Sequence, residues 1–413
     1  MRRAAGPAWR PAAGLAACPT LIVLFGLIVQ GQTFTQRGFF ETRNFVYPQA
    51  AEGDSGRLVS EELLRWEASW KPKSWVQVNA GFDARVDSHR QFERGWRLDW
   101  ADRGLQRPAF SARRMSVLVN KGGWTFEGGR QLIRWGKADI LNPTDRFAPK
   151  DFLNVVSSDF LGVTAARATY EKGGDTVDAV YQPVFTPSRA PLLRQRWVVL
   201  PEPVRAVVTG DGGTRYPGRG ALGLRWNHIG QGYEFSASFY DGHNHLPLID
   251  PAAFARYFAQ MRMYGGDVAV PLRWFTVKGE AAYFTSETQT ADEYALYVIQ
   301  LERMSGEWTF VGGYAGEAVT KKRALLDFAP DRGLAKTFLG RASYNLDANR
   351  TVAFEAAVRQ NGAGMYGKFE YTQALGAHLR ATAAATLVRG REDDFLGQYR
   401  RNSNLQLILR YSF

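Results

Sequence analysis

From Ser74 to Asp87 the chain alternates strictly. Val76, Val78, Ala80, Phe82, Ala84 and Val86 fall on one parity; Gln77, Asn79, Gly81, Asp83, Arg85 and Asp87 fall on the other. A period of two places the first set on one face of a β-strand and the second on the opposite face. The same unit of roughly ten alternating residues recurs as far as Phe413. Tight turns such as Lys121-Gly122-Gly123, Gly173-Gly174 and Leu375-Gly376-Ala377 take turns with longer polar loops such as 88–109, 135–162 and 186–219. Alternating strands also occur in soluble sandwiches, but an unbroken short–long sequence of connections is the asymmetry of a transmembrane barrel. The pattern predicts eighteen strands, the first at 37–47 and the last at 403–413, with both termini on the short-turn side. The first strand and the one at 337–346 are the least regular, and without them the count is sixteen.

The expected fold class is therefore all-β, a transmembrane antiparallel up-and-down barrel. In hydrocarbon each unpaired backbone N–H or C=O costs several kcal/mol, so a spanning sheet has to close on itself, apolar face outward. Composition agrees: 42 Gly and 13% aromatic residues, with 12 Trp, supply turns and strands, while a mean hydropathy of −0.30 leaves no room for apolar helical spans. Trp70, Trp75, Trp124, Tyr233, Trp274 and Trp308 all adjoin short turns, where they predict an interfacial girdle. Residues 1–31 read as a separate unit: Arg2, Arg3 and Arg10 precede the apolar run LIVLFGLIVQG, a secretory signal cleaved before Gln32. Residues 32–413 form one barrel domain. Leu15-Ala16-Ala17-Cys18 has the look of a lipidation box, but the apolar core follows Cys18 instead of preceding it. Cys18 is the only cysteine and leaves with the signal, so no disulfide, thiol nucleophile or thiolate metal site is expected.

The net charge of +12 changes this picture only inside the bore. Basic residues are spread singly along strands of an exported chain, which argues against nucleic acid as a partner. By alternation the lumen receives Arg85, Arg225, Lys278, Arg359, Lys368, Arg380 and Arg410, with Asp83, Glu234, Glu280, Glu355 and Glu370 among them. Many of these pair across neighbouring strands; a basic surplus then biases a water-filled bore toward anions.

The stretch GRQLIRWGKADILNPTDRFAPKDF, from Gly129 to Phe152, has no helical stripe. Strict alternation after Trp124 and Phe126 sends Arg130 outward, where an arginine costs about 2–4 kcal/mol at the midplane. A bulge at Gly128-Gly129 is expected to turn Arg130 and Arg134 into the lumen instead; the alternative is that this strand, expected at 124–134, ends early and leaves Arg134 in the outer headgroups. Beyond Trp135-Gly136 the segment is too long for a simple link, and Asn142-Pro143 and Ala148-Pro149 give it turns. It is expected to fold partly into the mouth and set Asp139, Asp145 and Asp151 against Arg130, Arg134, Lys137 and Arg146 as a constriction. An exposed loop is the alternative, and a calcium site from the three aspartates a further one, though they are spaced too widely for a compact cation loop.

Gly129-Arg130-Gln131, Trp135-Gly136 and Asn142-Pro143-Thr144-Asp145 resemble the GRQ-x3-WG…NP-x-D signature of a proteobacterial outer-membrane porin-like family of unknown function. More loosely, the architecture is similar to eighteen-strand alginate-export porins. The resemblance covers a small part of the chain. It implies a barrel for solute passage and carries over Arg130, Gln131, Trp135, Gly136, Asn142, Pro143 and Asp145 as family positions.

The expected function is an outer-membrane channel for passive passage of small hydrophilic, anion-leaning solutes. Its constriction and lining are assigned to Arg130, Arg134, Lys137, Asp139, Asp145, Arg146, Arg85, Arg225, Lys278, Lys368, Arg380 and Arg410, with no cofactor or metal. Expected partners are outer-membrane lipid, the solute, and the outer-membrane insertion machinery, addressed through the amphipathic last strand that ends at Phe413. One alternative is a barrel hydrolase, for which His243-Asn244-His245 beside Asp241, with Ser236 and Ser238 facing inward, offers the groups. The other is a plugged structural or assembly barrel, against which the inward glycines Gly81 and Gly223 argue by leaving space.

Overall fold

The structure is a computed structural model that describes residues 33–413 apart from 90, 97–99, 140, 193–194, 199–212, 251–252, 254 and 325–328. The signal expected at 1–31 lies outside the described residues. Eighteen antiparallel strands form the wall: β1 Thr33–Val46, β2 Leu58–Lys73, β3 Val76–Asp87, β4 Arg107–Lys121, β5 Trp124–Gln131, β6 Val163–Lys172, β7 Asp175–Gln182, β8 Ala221–Gly230, β9 Tyr233–His243, β10 Gln260–Pro271, β11 Thr276–Thr285, β12 Glu293–Ser305, β13 Trp308–Lys321, β14 Thr337–Asp347, β15 Arg350–Arg359, β16 Gly364–Leu375, β17 Leu379–Gly390 and β18 Asn404–Ser412. Each pairs with the next, and β18 returns to β1 from Phe39↔Ser412 to Val46↔Leu405, so the sheet closes. Both strands with irregular patterns, β1 and β14, belong to the wall.

The usual burial rule is inverted. Large apolar side chains such as Leu222, Phe338, Phe354, Phe369 and Leu405 are exposed, whereas Asp83, Asp178, Asp267, Glu280 and Gln300 are buried. This inversion is what a barrel with hydrocarbon outside and polar contents requires. The six aromatic residues beside the short turns are all exposed. At the seam the ladder runs one residue past β18: Gly38 N–H donates to the Phe413 carbonyl at 2.9 Å and Phe413 N–H to the Gly38 carbonyl at 3.0 Å. The Phe413 ring fills the space a side chain at Gly38 would need.

Two expectations about the opening motif change. β5 ends at Gln131, three residues before the expected 134. No register shift occurs at Gly128-Gly129: β5 pairs without a break from Lys121↔Trp124 to Met115↔Arg130 on one side and from Trp124↔Tyr170 to Gln131↔Val163 on the other. Gly129 is needed for another reason, because its φ is +116° and a Cβ there would lie 2.4 Å from the Met115 carbonyl oxygen. The extra residue sits in β4, where Gly81 pairs with Arg114 and Phe82 with Ala112, leaving Arg113 over. Arg113 and Arg114 both find inward carboxylates, Asp159 and Glu127.

Candidate pore constriction

After Gln131 the chain leaves the wall and runs along the inner faces of β7 to β12, one strand at a time. Trp135 Nε1 donates to Asp178 Oδ2 of β7 at 2.8 Å. Lys137 Nζ donates to Asn227 Oδ1 of β8 at 3.0 Å and pairs with Glu234 of β9 and with Asp267 of β10 at 3.2 Å. The Glu280 carboxylate of β11 accepts from the Lys137 and Ala138 N–H groups, both at 3.1 Å, and from the Thr144 N–H and hydroxyl at 2.9 and 2.8 Å. On β12, Gln300 Oε1 accepts from Asp139 N–H at 2.9 Å, while Lys278 of β11 pairs with the Asp139 carboxylate at 3.2 Å. A buried main-chain donor without a partner is costly, so these inward carboxylates and amides fix where the loop can lie.

The motif residues have local reasons. Asp145 Oδ1 accepts from Trp135 N–H at 2.6 Å and Gly136 N–H at 2.7 Å, and its other oxygen from Arg134 Nε at 3.2 Å. Asn142 donates to the Ala138 carbonyl, closing the turn that Pro143 follows. A Cβ on Gly136 would meet Asn142 at 2.6 Å and the Glu280 carboxylate at 2.9 Å, so only glycine fits between them. Gln131 Nε2 bonds the carbonyls of Ala165 and Glu127. Phe147 packs edge-on against Trp135 and Tyr240 and lies over Gly223, where a Cβ would be 2.3 Å from its ring. The inward glycine at 223 thus makes room for the inserted loop, not for an open passage.

The assigned residues separate into groups. Lys137, Asp139, Arg225 and Lys278 come together, with Arg225 on Asp267 at 2.8 Å. Arg134 stands half exposed beside Asp145 with its guanidinium 4.2 Å from the Phe160 ring centre. Arg146 lies over Phe284 and faces Asp331. On the far wall Arg410 and Arg43 share Glu41, and Arg65 and Arg85 share Asp83. Lys368 pairs with Glu370. Arg380 lies opposite Arg410 in the β17–β18 ladder. Arg130 departs from expectation. It stays on the outward parity, opposite Met115 and Thr164, and is buried by Asp102 at 2.8 Å and the Trp100 carbonyl at 3.1 Å.

Asp102 also holds Arg189 at 2.6 Å; Arg189 reaches Asp151, and Asp151 binds Arg107 at 2.8 Å. Burial alone would raise the Asp151 carboxyl, but the charges of Arg107 and Arg189 and the Arg107 hydrogen bond hold it down at about 2. Asp151 thus belongs to this chain of ions at the mouth. A second inserted stretch ends in Arg196 and Trp197. The Arg196 guanidinium donates to the carbonyls of Gly56 at 2.7 Å and Arg401 at 3.1 Å and stacks on Tyr47 at 3.9 Å, while Trp197 is buried against Tyr399, Leu396 and Val388. Neither Asp102, Arg189 nor Arg196 was legible as a site residue; the large aromatic Trp197 beside Arg196 in a polar loop is the signal that was there to read.

The loop histidine at 245 is buried, stacked on Phe185, with Nδ1 2.6 Å from the Thr186 carbonyl and Nε2 2.7 Å from the Arg146 carbonyl. Burial, then Arg146 and His243, lower its pKa to about 4, the two carbonyl contacts act in the opposite sense, and through those contacts the ring ties loops together. Ser236 bonds Asp267, away from it. Among the described residues no group of three or more His, Cys, Asp or Glu is placed to hold a metal ion.

These features define a closed eighteen-strand transmembrane β-barrel with a loop inserted against one inner wall. No protein-family model matches the sequence, and no curated protein sequence matches it. Among solved structures the chain is similar to a BenF-like porin from Pseudomonas fluorescens Pf-5, at 11% identity and a TM-score of 0.54 over 93% of this chain and 98% of that one. It is similar also to OccAB1 of Acinetobacter baumannii, at 10% identity and TM-score 0.53 over 92% and 96%, and to OpdQ of Pseudomonas aeruginosa, at 10% and 0.52 over 93% and 99%. At such identities the likeness is one of fold.

Proposed function

We propose that the protein is a passive channel for small hydrophilic solutes with a preference for anions. The observation that carries this reading is the inequality of the two inner walls. On β18 and β1–β4, eight arginines (Arg37, Arg43, Arg65, Arg85, Arg107, Arg113, Arg114 and Arg410) pair with seven carboxylates, Glu41, Glu61, Glu67, Asp83, Glu127, Asp151 and Asp159. On the opposite wall Lys137, Arg225 and Lys278 meet four, Glu234, Asp267, Glu302 and Asp139. Low-dielectric walls concentrate the field of the arginine side on anything that passes. Arg134, half exposed at the loop's root, belongs to the constriction; Arg130, covered by Asp102, contributes through the loop anchor. The GRQ…NP-x-D resemblance supports the same class of activity, and the likeness to the BenF-like and OpdQ folds is compatible with it. Residues 1–31 serve as the export signal, and the strand ending at Phe413 as the address for the insertion machinery. The test is the reversal potential of the purified protein in planar bilayers under a salt gradient. Discrete steps with an anion-directed potential are expected; cation-directed steps defeat the charge assignment. A second reading, a barrel closed by its own loops, draws support from the latch at Arg196 and Trp197, and electrical silence at all voltages is its signature.

A further inference from the structure

The barrel wall is uneven in height. β4 has 15 residues, but β5 has 8. An 8-residue strand tilted as in such barrels rises about 20 Å, less than the apolar band of roughly 25 Å that the wall has to cross. At that point β5 leaves the wall for the lumen, so the upper edge of β4 has no partner on that side, and the last outward residue of β5 is an arginine. An unpaired edge and a lipid-facing guanidinium within the hydrocarbon are both unfavourable.

Both are covered by the same short piece of chain. Strand Phe92–Trp96 pairs in parallel with the free edge of β4, from Phe92↔Arg107 to Trp96↔Phe110. Just beyond, the Trp100 carbonyl accepts from Arg130 Nη1 at 3.1 Å and from the Thr164 hydroxyl at 2.8 Å, and Asp102 pairs with Arg130. Arg130 is 2% exposed, whereas Trp124 and Phe126 on the same face of β5 are 45% and 47% exposed. The cover's own outer surface is apolar: Trp96 is 82% exposed, and Trp100 and Leu105 are exposed with it. Trp96 continues a row of rings across the outer wall, with Trp66 5.9 Å from Phe82, Phe82 5.6 Å from Phe110 and Phe110 5.3 Å from Trp96.

We propose that residues 92–96 and 100–102 act as a substitute for the missing top of β5, a piece of wall borrowed from the preceding loop and seated in the outer-leaflet lipid. Its partner is the boundary between acyl chains and headgroups, where tryptophan is favoured. The occupant is lipid because the surface is continuous with the lipid-facing rings of β2, β3 and β4 and sits at the height where β5 stops short. Asp102 then answers an arginine that hydrocarbon would otherwise meet, and hands the same carboxylate to Arg189 of the inserted stretch.

The inference is independent of what passes through the bore. It is tested with nitroxide labels at Trp96→Cys and Trp100→Cys in the full chain carrying Cys18→Ser, reconstituted in phospholipid bilayers, with Phe369→Cys and Gly218→Cys as membrane and water references. Folding of each variant is checked by heat-modifiable migration, and two positions guard against one failing to fold. Both labels are expected to collide with oxygen as Phe369→Cys does and to be shielded from a water-soluble nickel chelate. Nickel accessibility like that of Gly218→Cys overturns the proposal, as does dipolar broadening between labels on two chains, which assigns the face to a second copy instead.

Discussion

The two inner walls of this barrel are built by the same alternation and put to different use. On β7–β12 a loop lies on the inward carboxylates and amides, and Asp178, Glu234, Asp267, Glu280 and Gln300 each bond a main-chain N–H, a lysine or a tryptophan of that loop. On β18 and β1–β4 the loop touches the wall only through Asp159, on Arg65, Arg85 and Arg113, and Asp151, on Arg107, while Arg43, Arg114 and Arg410 stay partly exposed. Alternation therefore decides which residues enter the bore, while the loop decides which of them still face water. On the proposed reading, selectivity belongs to the arginine-bearing wall and narrowing to the one the loop covers.

The largest effect is expected at Glu280. Replacing it with Leu removes the acceptor of three main-chain N–H groups and the Thr144 hydroxyl, which at roughly 1–3 kcal/mol for each stranded donor is enough to detach the loop. Single-channel conductance should rise and become noisy, with new protease sensitivity between 137 and 149; wild-type conductance in a folded E280L barrel would show that the loop is held elsewhere. Next comes acid. Asp151 has a pKa of about 2 against an unfolded value near 3.9, so it contributes about 2–3 kcal/mol above pH 4 that is lost as pH falls toward 2. Loop release followed by proteolysis should track that window, and Asp151→Asn should abolish the transition. At Gly223, valine drives a side chain into Phe147 and Trp135 and should cost about 1–3 kcal/mol of overpacking, read as a lower midpoint of heat-modifiable unfolding. Smallest is Arg134→Gln: one half-exposed, screened charge should lower the anion-to-cation permeability ratio less than about twofold, without the conductance change expected at Glu280.

Much of the wall was legible because the period of two and the order of connections are local signals. The last strand, expected at 403–413, runs from Asn404 to Ser412 for that reason. The opening motif was legible only in kind. Glycine pairs suggest bulges, but Gly129 serves a close approach to Met115, and the bulge falls at Arg113, which has no local mark. The partners of the loop were hidden because they lie far along the chain: Lys137 meets Asp267, and Arg196 meets the carbonyl of Gly56. Arg130 was misplaced because its cover comes from a loop that no pattern in its own strand announces.

The most direct test of the account is chemical modification in a bilayer under voltage, with Cys18→Ser as background. A water-soluble methanethiosulfonate reagent should reduce the current stepwise through Arg134→Cys and leave Phe369→Cys untouched. Modification of Phe369→Cys with Arg134→Cys unreactive would put water where the account puts lipid, and would contradict it.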